Sequence, residues 1–315
     1  MGSASYVPRL SRLLAENSRF VTLFQNIPGL GRGLFAATDI PQGTVILEEV
    51  PLVSTAPVSK KQSWCAGCLR PEFIADEKSH HGAIYCPSCA GNGESIRAMY
   101  AGIEWGPLHS FCVEHGNQKF PLLVSELACM KVREDIDGGD FRSSDMSSLC
   151  HVNVQRDLIP QEWRDSFEAL MASFDSISGA RDCLNLSWYV DMMSRIHVNA
   201  FRVDIVDVGS LLIGDKGGYS ALLKEHVTAA RESGSAVYVL ASMLNHSCIP
   251  NVGVGFPRNT HEIRLTAERD ISQHEQLCVS YIDADAPVAE RQQMLEFSYG
   301  FRCECEKCRE EMASL

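Results

Sequence analysis

The sequence predicts an α+β fold, in which two groups of short strands are separated by a long helical region. Near the N-terminus and again after residue 252, short apolar or alternating stretches are bounded by Gly and Pro. Between residues 120 and 232 the apolar period changes to three or four, as in helices. Most of the 13 cysteines fall into two groups with the spacing of zinc ligands.

Length, composition and charge exclude several classes of protein. The 315 residues suggest roughly two domains at about 150 residues each. With 45% hydrophobic and 22% charged residues, the chain is neither disordered nor fibrous. Its 28 basic and 40 acidic residues give a net charge of -12, which disfavours direct binding to nucleic acid and favours basic protein partners. Every apolar run is too short to span a membrane, so we expect no membrane contact.

The strands at the N-terminal end are followed by a cysteine-rich insertion. Three strands are predicted, at residues 21–24, 33–36 and 45–47. The insertion that interrupts the strands is polar at its edges and rich in Gly, Ser and His.

Helices dominate the centre of the chain, and strands return after it. Three helices are predicted, at residues 121–130, 160–174 and 219–231. The acidic, serine-rich run 134–148 is predicted to be a mobile loop. Later strands are predicted at residues 252–254, 261–266 and 277–281. A final helix at 289–299 leads into a cysteine-rich tail.

The first cysteine group predicts a closed zinc site. Two Cys-x-x-Cys pairs, separated by 17 residues, supply four ligands: Cys65, Cys68, Cys86 and Cys89. Each pair directs two thiolates at one ion, and two pairs complete a tetrahedron that leaves no open position for chemistry. The site is therefore predicted to be structural. Nearby His80, His81, His109 and Cys112 lack a second pair of this type, and we interpret them as surface or packing residues.

The second cysteine group lies in the tail and needs a fourth ligand from elsewhere. It comprises Cys303, Cys305 and Cys308. Cys248 is the predicted fourth ligand, because it lies in a polar, turn-like stretch before Pro250. The remaining cysteines are interpreted as ordinary buried thiols: Cys112, Cys129, Cys150, Cys183 and Cys278. An odd number of cysteines without a secretory signal favours a reducing compartment.

Four sequence segments occur in an order that is specific although each one alone is weak. They are GRGLFA at 31–36, the split cysteine insertion, LNHSCIPN at 244–251, and EQLCVSY at 275–281 followed by FRCECEKC at 301–308. Together they resemble the SET-domain protein-lysine methyltransferases, and within them the SMYD group, in which a zinc-bearing MYND module interrupts the SET fold. The resemblance implies short strands with a pseudoknot, a helical insertion and a zinc-pinned post-SET tail.

The resemblance also implies an order of domains, which covers most of the chain. The expected order is an N-terminal segment (1–19), the first part of SET (20–60), a zinc-binding MYND-like insertion (61–116), a helical insertion (117–195), the second part of SET (196–285) and a post-SET zinc tail (286–315). A MYND module normally binds two zinc ions, whereas residues 65–89 offer ligands for one. The sequence ends seven residues after Cys308, which implies a short form without the C-terminal helical domain of several SMYD members.

The activity implied by the resemblance is methyl transfer from S-adenosylmethionine to lysine side chains of histones or other proteins. The two cysteine groups predict two structural zinc ions, one for each group. We expect a monomer, and a protein partner with an accessible lysine, histone tails included, in the cytoplasm and/or the nucleus. Two alternatives stay open. One is a catalytically inactive SET protein whose zinc modules recruit partners. The other is a zinc-knuckle nucleic-acid binder, against which the acidic balance counts.

Tyr281 is the predicted catalytic residue, because it ends the strand at 277–281 and the resemblance implies that its hydroxyl orients the amine. The alternative is a strand-end tyrosine that packs into the core. The resemblance implies cofactor contacts from Tyr281 and nine further residues: Gly31, Arg32, Gly33, Asn199, Ser242, Leu244, Asn245, His246 and Phe301.

Some of these residues also have simpler explanations. The absence of Cβ at residues 31 and 33 permits close backbone approach to a ligand, but an ordinary hairpin turn uses glycine too. Asn245 and His246 are also consistent with a buried pair that satisfies turn hydrogen bonds. Phe301 either stacks on adenine or plugs the zinc-bound tail with apolar surface.

Overall fold

A computed structural model describes residues 9–28, 31–57, 63–72, 86, 89, 102–137, 143–206 and 231–314. The strands are β1 (Val21–Ile27), β2 (Gly31–Ala36), β3 (Val45–Glu49), β4 (Val53–Thr55), β5 (Ser63–Trp64), β6 (Pro71–Glu72), β7 (Ala200–Val206), β8 (Arg231–Val237), β9 (Asn245–His246), β10 (Val252–Gly255), β11 (Ile263–Ala267) and β12 (Cys278–Val279). The helices are α1 (Arg9–Glu16), α2 (Gly106–Glu114), α3 (Phe120–Asp137), α4 (Ser143–Ser147), α5 (Gln161–Ser173), α6 (Ala180–Cys183), α7 (Leu186–Asn199), α8 (Val288–Tyr299) and α9 (Glu306–Ala313). Two short 3-10 helices lie at Arg156–Leu158 and Ala241–Met243.

The strands form small sheets of two or three members. β1 pairs with β2, β11 pairs with both β3 and β10, and β8 pairs with both β4 and β7, in each case antiparallel. β5 pairs with β6, and β9 pairs with β12 in parallel. Along β11 the buried residues are Ile263, Leu265 and Ala267, which is the alternation expected of a strand with one face on the core. The predicted α+β class is confirmed.

Three distant segments meet where β9 lies beside β12. The backbone N–H of Leu277 donates to the carbonyl of Leu34 at 2.8 Å, which joins the last segment to β2. The side chain of Asn251 donates to the carbonyl of Gln276 and accepts from the N–H of Cys278, both at 2.8 Å. Residues 31–36, 244–251 and 275–281 are therefore brought together as the sequence resemblance implies.

In the helical region α2 packs against α5, and α7 packs against both α3 and α5. The N–H of Leu108 near the start of α2 donates to the hydroxyl of Ser173 at the end of α5. Asn185 caps α7, since its side-chain oxygen accepts from the N–H of Trp188 at 3.0 Å. This helix was not among the predicted ones, although Asn185 is a typical N-cap residue. α7 leads without a gap into β7, and this junction positions Asn199.

The predicted loop at 134–148 is wrong for most of its length. α3 continues to Asp137, because Ala128, Cys129 and Val132 keep a buried face on the core. Ser143–Ser147 forms α4, in which the buried carboxylate of Asp145 accepts from the backbone N–H of Arg9. Long-range contacts of this kind outweigh the local preference of acidic and serine-rich sequence for loops.

The helix predicted at 219–231 and the strand predicted at 277–281 also differ from the structure. Of the helix predicted at 219–231, residues 219–230 lie outside the described residues, and Arg231 begins strand β8. The strand predicted at 277–281 is reduced to Cys278–Val279, which pair with β9. On either side of it, the Leu277 N–H donates to the Leu34 carbonyl of β2 and the Tyr281 N–H donates to the side chain of His246.

Glu49 is a buried carboxylate that fixes the chain just before the 244–251 segment. Its two oxygens accept hydrogen bonds from the backbone N–H groups of Val239, Leu240 and Ala241, the shortest at 2.7 Å. Burial raises the pKa of Glu49, and these hydrogen bonds act in the opposite direction. The carboxylate thus connects β3 to the short helix at Ala241–Met243.

Replacement of this carboxylate is expected to destabilise the fold. Glu49→Ala leaves three buried N–H groups without their acceptor, and each such loss costs about 1–3 kcal/mol. We expect the free energy of unfolding in urea to fall by at least about 3 kcal/mol. Glu48→Ala on the same strand removes only surface ion pairs and should cost less than about 1 kcal/mol. Equal losses in the two variants would contradict this role of Glu49.

Candidate active site and metal centres

The first predicted cysteine group converges in space. The sulfur atoms of Cys65, Cys68, Cys86 and Cys89 all lie within 4.8 Å of one another. The Cys68 and Cys86 sulfurs are 3.8 Å apart, which matches the edge of a tetrahedron with zinc–sulfur bonds of about 2.3 Å. The N–H of His261 donates to the carbonyl of Cys68, which ties this cluster to the turn that precedes β11. The donor set fits a closed structural zinc site.

The second group also converges, and Cys248 is the fourth member as predicted. The sulfurs of Cys248, Cys303, Cys305 and Cys308 lie within 4.8 Å of one another. The Cys248 sulfur is 3.9 Å from that of Cys303 and 3.5 Å from that of Cys308. Four thiol ligands in this geometry fit zinc. The tail is thereby joined to the turn at residues 247–250.

A fully buried arginine lies against the tail cluster. The guanidinium of Arg291, on α8, points at the Cys308 sulfur at 3.6 Å and pairs with Glu311 at 2.8 Å. It also donates to the carbonyl of Ala286. Only 1% of Arg291 is exposed, so its charge depends on these partners.

The remaining cysteines are not uniformly buried. All thirteen cysteines are free in the structure. Cys112 and Cys129 are buried as predicted, whereas Cys183 and Cys278 are only partly buried. Cys150 is exposed, which corrects the prediction for this residue. It follows the end of α4 in an irregular segment that lines a cavity, and an apolar neighbourhood in sequence does not reveal that position. Of the nearby residues, His109 is exposed as predicted, and His80 and His81 lie outside the described residues.

Two cavities share one wall, and Tyr281 belongs to that wall. The larger has a volume of about 930 Å³ and the smaller about 480 Å³. Both volumes lie in the range of small-molecule sites. The shared wall is formed by Val198, Asn199, Ser242, Tyr281 and Tyr299. The larger cavity alone is lined by Gly31, Arg32, Cys150, Asn245, Phe297 and Phe301. The smaller cavity alone is lined by Phe201, Leu244, Phe256 and Ser280.

Tyr281 is fixed by one hydrogen bond at its hydroxyl and another at its backbone. Its hydroxyl donates to the carbonyl of Leu244 at 2.5 Å, and its backbone N–H donates to Nδ1 of His246 at 3.0 Å. Burial raises the pKa of the hydroxyl, so it remains protonated at neutral pH. Since its proton is used by Leu244, the oxygen keeps lone pairs for a ligand in the cavities.

The two glycines of β2 are required for different structural reasons. Gly31 has a positive φ of 73°, a conformation that favours glycine. A Cβ at Gly33 would lie 2.8 Å from Nδ2 of Asn245 and 2.6 Å from Nε2 of Gln276. Gly33 therefore permits close approach of the neighbouring segments rather than direct contact with a ligand, and it is not among the residues that line the larger cavity.

Arg32 brings a positive charge to the larger cavity. One terminal nitrogen donates to the carbonyl of Ser148. Its Nε and Nη2 atoms are buried without a hydrogen-bond partner among the described residues. Buried guanidinium nitrogens of this kind are costly unless an acceptor is supplied. A carboxylate ligand would satisfy them.

Asn245 and His246 make specific contacts within the protein. Asn245 donates to the carbonyl of Arg32 at 2.8 Å and lines the larger cavity. The ring of His246 lies between the Tyr281 N–H and the Cys248 sulfur, and it lines neither cavity. Burial, together with the nearby Arg291, lowers the pKa of His246 to about 4, so the ring is neutral at physiological pH.

Of the other predicted cofactor residues, Asn199 and Ser242 line both cavities, Leu244 lines only the smaller one and Phe301 only the larger one. Asn199 is buried and donates to the carbonyls of Cys150 and Arg195 at 2.8 and 2.7 Å. Ser242 donates to the Asn199 carbonyl, and Leu244 contributes the carbonyl bound by Tyr281. Phe301 is 36% exposed beside Tyr281 and Tyr299.

Sequence reasoning missed four aromatic residues near Tyr281. Phe201, Phe256 and Tyr299 line the smaller cavity, and Phe297 lies at the larger one with 91% of its surface exposed. The ring centroids of Tyr281 and Tyr299 are 4.8 Å apart. Tyr299 and Phe297 lie beside the cysteine tail in sequence, and that proximity was the available signal.

The SET domain family model matches residues 31–282 of this sequence. This match covers most of the chain, and the chain therefore belongs to the SET-domain family. The resemblance implied by the four sequence segments is thus confirmed at the level of the family. Within the described residues, no helix has the length and apolar character that crossing a membrane requires.

Curated relatives extend this similarity. Histone-lysine N-methyltransferase ATXR4 of Arabidopsis thaliana is 29% identical over 289 residues, which cover 89% of this chain and 83% of that protein. A SET and MYND domain-containing protein of Dictyostelium discoideum is 25% identical over 232 residues, covering 71% and 58%. Histone-lysine N-methyltransferase SET5 of Yarrowia lipolytica is 26% identical over 307 residues, covering 89% and 62%. The chain thus spans less than two thirds of the length of the latter two.

The two cysteine clusters predict a metal content of about two zinc ions per chain, one for each tetrahedral site. Cys308→Ser should lower the content to about one ion, because it removes one ligand of the tail cluster. Elemental analysis of the purified protein measures both values. Cys183→Ser is the matched control, since Cys183 lies outside both clusters, and it should keep two ions. A wild-type content of one or none would contradict the assignment.

Proposed function

We propose that this protein is a protein-lysine N-methyltransferase that uses S-adenosylmethionine. The observation that carries the proposal is the position of Tyr281 on a wall shared by two cavities of different character. Methyl transfer from a bulky donor to a slender amine requires two ligands that meet at one point. The SET family match supports the same activity, and the names of two relatives include lysine methyltransferase.

The larger cavity suits the methyl donor. The unpartnered Nε and Nη2 of Arg32 offer charge-assisted hydrogen bonds to a carboxylate. Asn245 and Asn199 line the same space, and Phe301 and Phe297 offer aromatic faces at its edge. S-adenosylmethionine has a carboxylate at one end and an adenine at the other, and when bound it supplies an electrophilic methyl group on a sulfonium. These features support the proposed roles of the cofactor-binding residues.

The smaller cavity suits an uncharged lysine side chain. Its aromatic lining comes from Phe201, Phe256, Tyr281 and Tyr299. Its only charged lining residues in the described part of the chain, Arg202 and Asp204, pair with each other at 2.7 Å. No free carboxylate within this lining therefore stabilises the ammonium form.

Delivery of a neutral amine is a large part of the catalytic task. A lysine with a pKa of about 10.4 is neutral in roughly one molecule per thousand near pH 7.4, which corresponds to about 4 kcal/mol. Transfer into an aromatic channel disfavours the ammonium and lowers this cost. The channel also aligns the nitrogen with the reacting carbon.

The Tyr281 hydroxyl is proposed to act on both ligands. Because the hydroxyl donates its proton to the Leu244 carbonyl, the lone pairs of its oxygen are proposed to present negative partial charge to ligands in the cavities. That oxygen accepts an N–H of the incoming amine and stabilises positive charge near the transferred methyl. Its fixed position avoids reorganisation during the reaction.

The substrate is proposed to be a lysine in a basic segment of a protein, of which a histone tail is one example. The net charge of -12 attracts such segments by long-range electrostatics. Thirteen free cysteines support a reducing compartment, the nucleus or the cytoplasm. The two cysteine clusters are proposed as structural zinc centres, the first within the insertion at 61–116 and the second between Cys248 and the tail at 286–315.

Loss of the Tyr281 hydroxyl is predicted to impair catalysis. Tyr281→Phe should lower labelled-methyl transfer from S-adenosylmethionine to core histones and a cytosolic extract by at least about tenfold, or roughly 1.4 kcal/mol of barrier. Tyr189→Phe is the matched control, because it deletes a hydroxyl that binds Ser166 in the helical region. Equal transfer by wild type and Tyr281→Phe would remove Tyr281 from this role. No transfer by wild type would favour the non-catalytic alternative.

Loss of the Arg32 charge is predicted to weaken cofactor binding. Arg32→Met keeps much of the side-chain volume but removes the donors, so the Kd for S-adenosylmethionine should rise at least about tenfold, or about 1.4 kcal/mol. Isothermal titration calorimetry measures this change without a protein substrate. Arg258→Met, at a surface ion pair, should leave the Kd unchanged. An unchanged Kd in Arg32→Met would exclude the carboxylate contact.

A further inference from the structure

We propose that His246 is a positioning residue whose ring joins the tail metal centre to the backbone of Tyr281. The ring lies between the Tyr281 N–H, 3.0 Å from Nδ1, and the Cys248 sulfur, 3.3 Å from Nε2. This inference goes beyond the cofactor contact expected for His246. Only its activity readout rests on the proposed function.

The hydrogen bonds assign the ring tautomer. A backbone N–H can only donate, so Nδ1 of His246 accepts from Tyr281 and carries no proton. Since an imidazole keeps at least one ring proton, that proton is on Nε2, which faces the Cys248 sulfur. A metal-bound thiolate is a good acceptor for that proton. The ring thus accepts a hydrogen bond from Tyr281 through one nitrogen and donates one to the thiolate through the other.

Tyr281 needs this contact because the strand ladder ends before it. β12 pairs with β9 only at Cys278 and Val279, and the last ladder contact beyond these is the Ser247 N–H bound to the Val279 carbonyl. The N–H of Tyr281 lies past that point and is bound by His246 instead. Together with the hydroxyl bond to Leu244, this contact fixes the tyrosine at its backbone and at its ring end.

The other end of the ring belongs to the shell around the metal ligands. Groups that hydrogen-bond to metal ligands orient them and tune their charge. Cys248 receives such a bond from His246, and Cys308 receives one from Arg291. A displacement of the Cys248 sulfur would therefore move the imidazole, and with it the Tyr281 backbone. The tail metal would thus influence the tyrosine without contacting either reactant.

Three substitutions of His246 distinguish the hydrogen bond to Tyr281 from the hydrogen bond to Cys248. His246→Ala removes both hydrogen bonds. His246→Asn keeps an acceptor close to the Nδ1 position but does not reach the sulfur, whereas His246→Gln extends an amide donor toward the Nε2 position. His246→Asn should thus restore the hydrogen bond to the Tyr281 N–H, and His246→Gln the hydrogen bond to the Cys248 sulfur. His109→Ala, at an exposed position of α2, is the matched control.

Two readouts are independent of enzymatic activity. Hydrogen–deuterium exchange of a peptide that contains Tyr281 reports the N–H bond, and zinc transfer to a chromophoric chelator reports the tail ion. In His246→Ala we expect Tyr281 exchange to be at least about tenfold faster, or about 1.4 kcal/mol of protection, and tail zinc release to be at least about threefold faster. Release from the Cys65 cluster should stay unchanged and is an internal control.

The Asn and Gln variants should differ in opposite directions in amide protection and in zinc retention. His246→Asn should protect the Tyr281 N–H better than His246→Gln, and His246→Gln should retain the tail ion better than His246→Asn. For transfer activity, His246→Ala should lower kcat at least about tenfold with less than about twofold change in the KM for S-adenosylmethionine, and His246→Asn should recover part of kcat. A loss confined to KM would instead indicate a cofactor contact and overturn the proposal.

The role of His246 and the methyltransferase activity are tested by different measurements. Unchanged Tyr281 exchange and unchanged zinc release in His246→Ala overturn the role of His246, whether or not the protein transfers methyl groups. Identical exchange and release in His246→Asn and His246→Gln also overturn it. A wild-type protein without transfer activity contradicts the methyltransferase proposal, while exchange and zinc release still decide the role of His246.

Discussion

The site depends on one steric and hydrogen-bonding constraint, the close approach of three chain segments around β9 and β12. Asn251 binds both sides of the Gln276–Leu277–Cys278 backbone, and Asn245 binds the carbonyl of Arg32. Gly33 makes the approach possible, since a Cβ there would collide with two side-chain amides. Because these bonds replace ordinary strand pairing, short two-residue strands suffice to place Tyr281 and Arg32 around shared space.

The tail adds a second constraint from the opposite end of the sequence. Cys248 belongs both to the turn after β9 and to the tail cluster, so metal ligation and site formation involve the same few residues. α8 carries Tyr299 near its end and is followed by Phe301, which places aromatic rings at the cavities. Metal-coupled folding can contribute about 10 kcal/mol or more, enough to order a short polar segment of this kind.

The sequence predicted those parts whose chemistry is encoded locally. Cysteine spacing identified seven ligands, and the polar turn around Cys248 identified the eighth. The N-cap of α7 was readable at Asn185, but the helix was not predicted. The continuation of α3 through Val132 and the exposure of Cys150 depend on tertiary packing, which local composition does not contain. The aromatic wall formed by Phe201, Phe256 and Tyr299 requires the sheets to be assembled before it can be recognised.

The buried guanidinium beside the tail cluster has a consequence for how the tail detaches. Zinc with four thiolates is a dianion in formal charge, and Arg291 offsets part of it from a position with 1% exposure. Once the ion leaves and the thiols take up protons, that cation is left in an apolar setting with Glu311 as its only counter-charge within the described chain. Partial fraying is then electrostatically unfavourable, so the terminal segment should release in a single cooperative event.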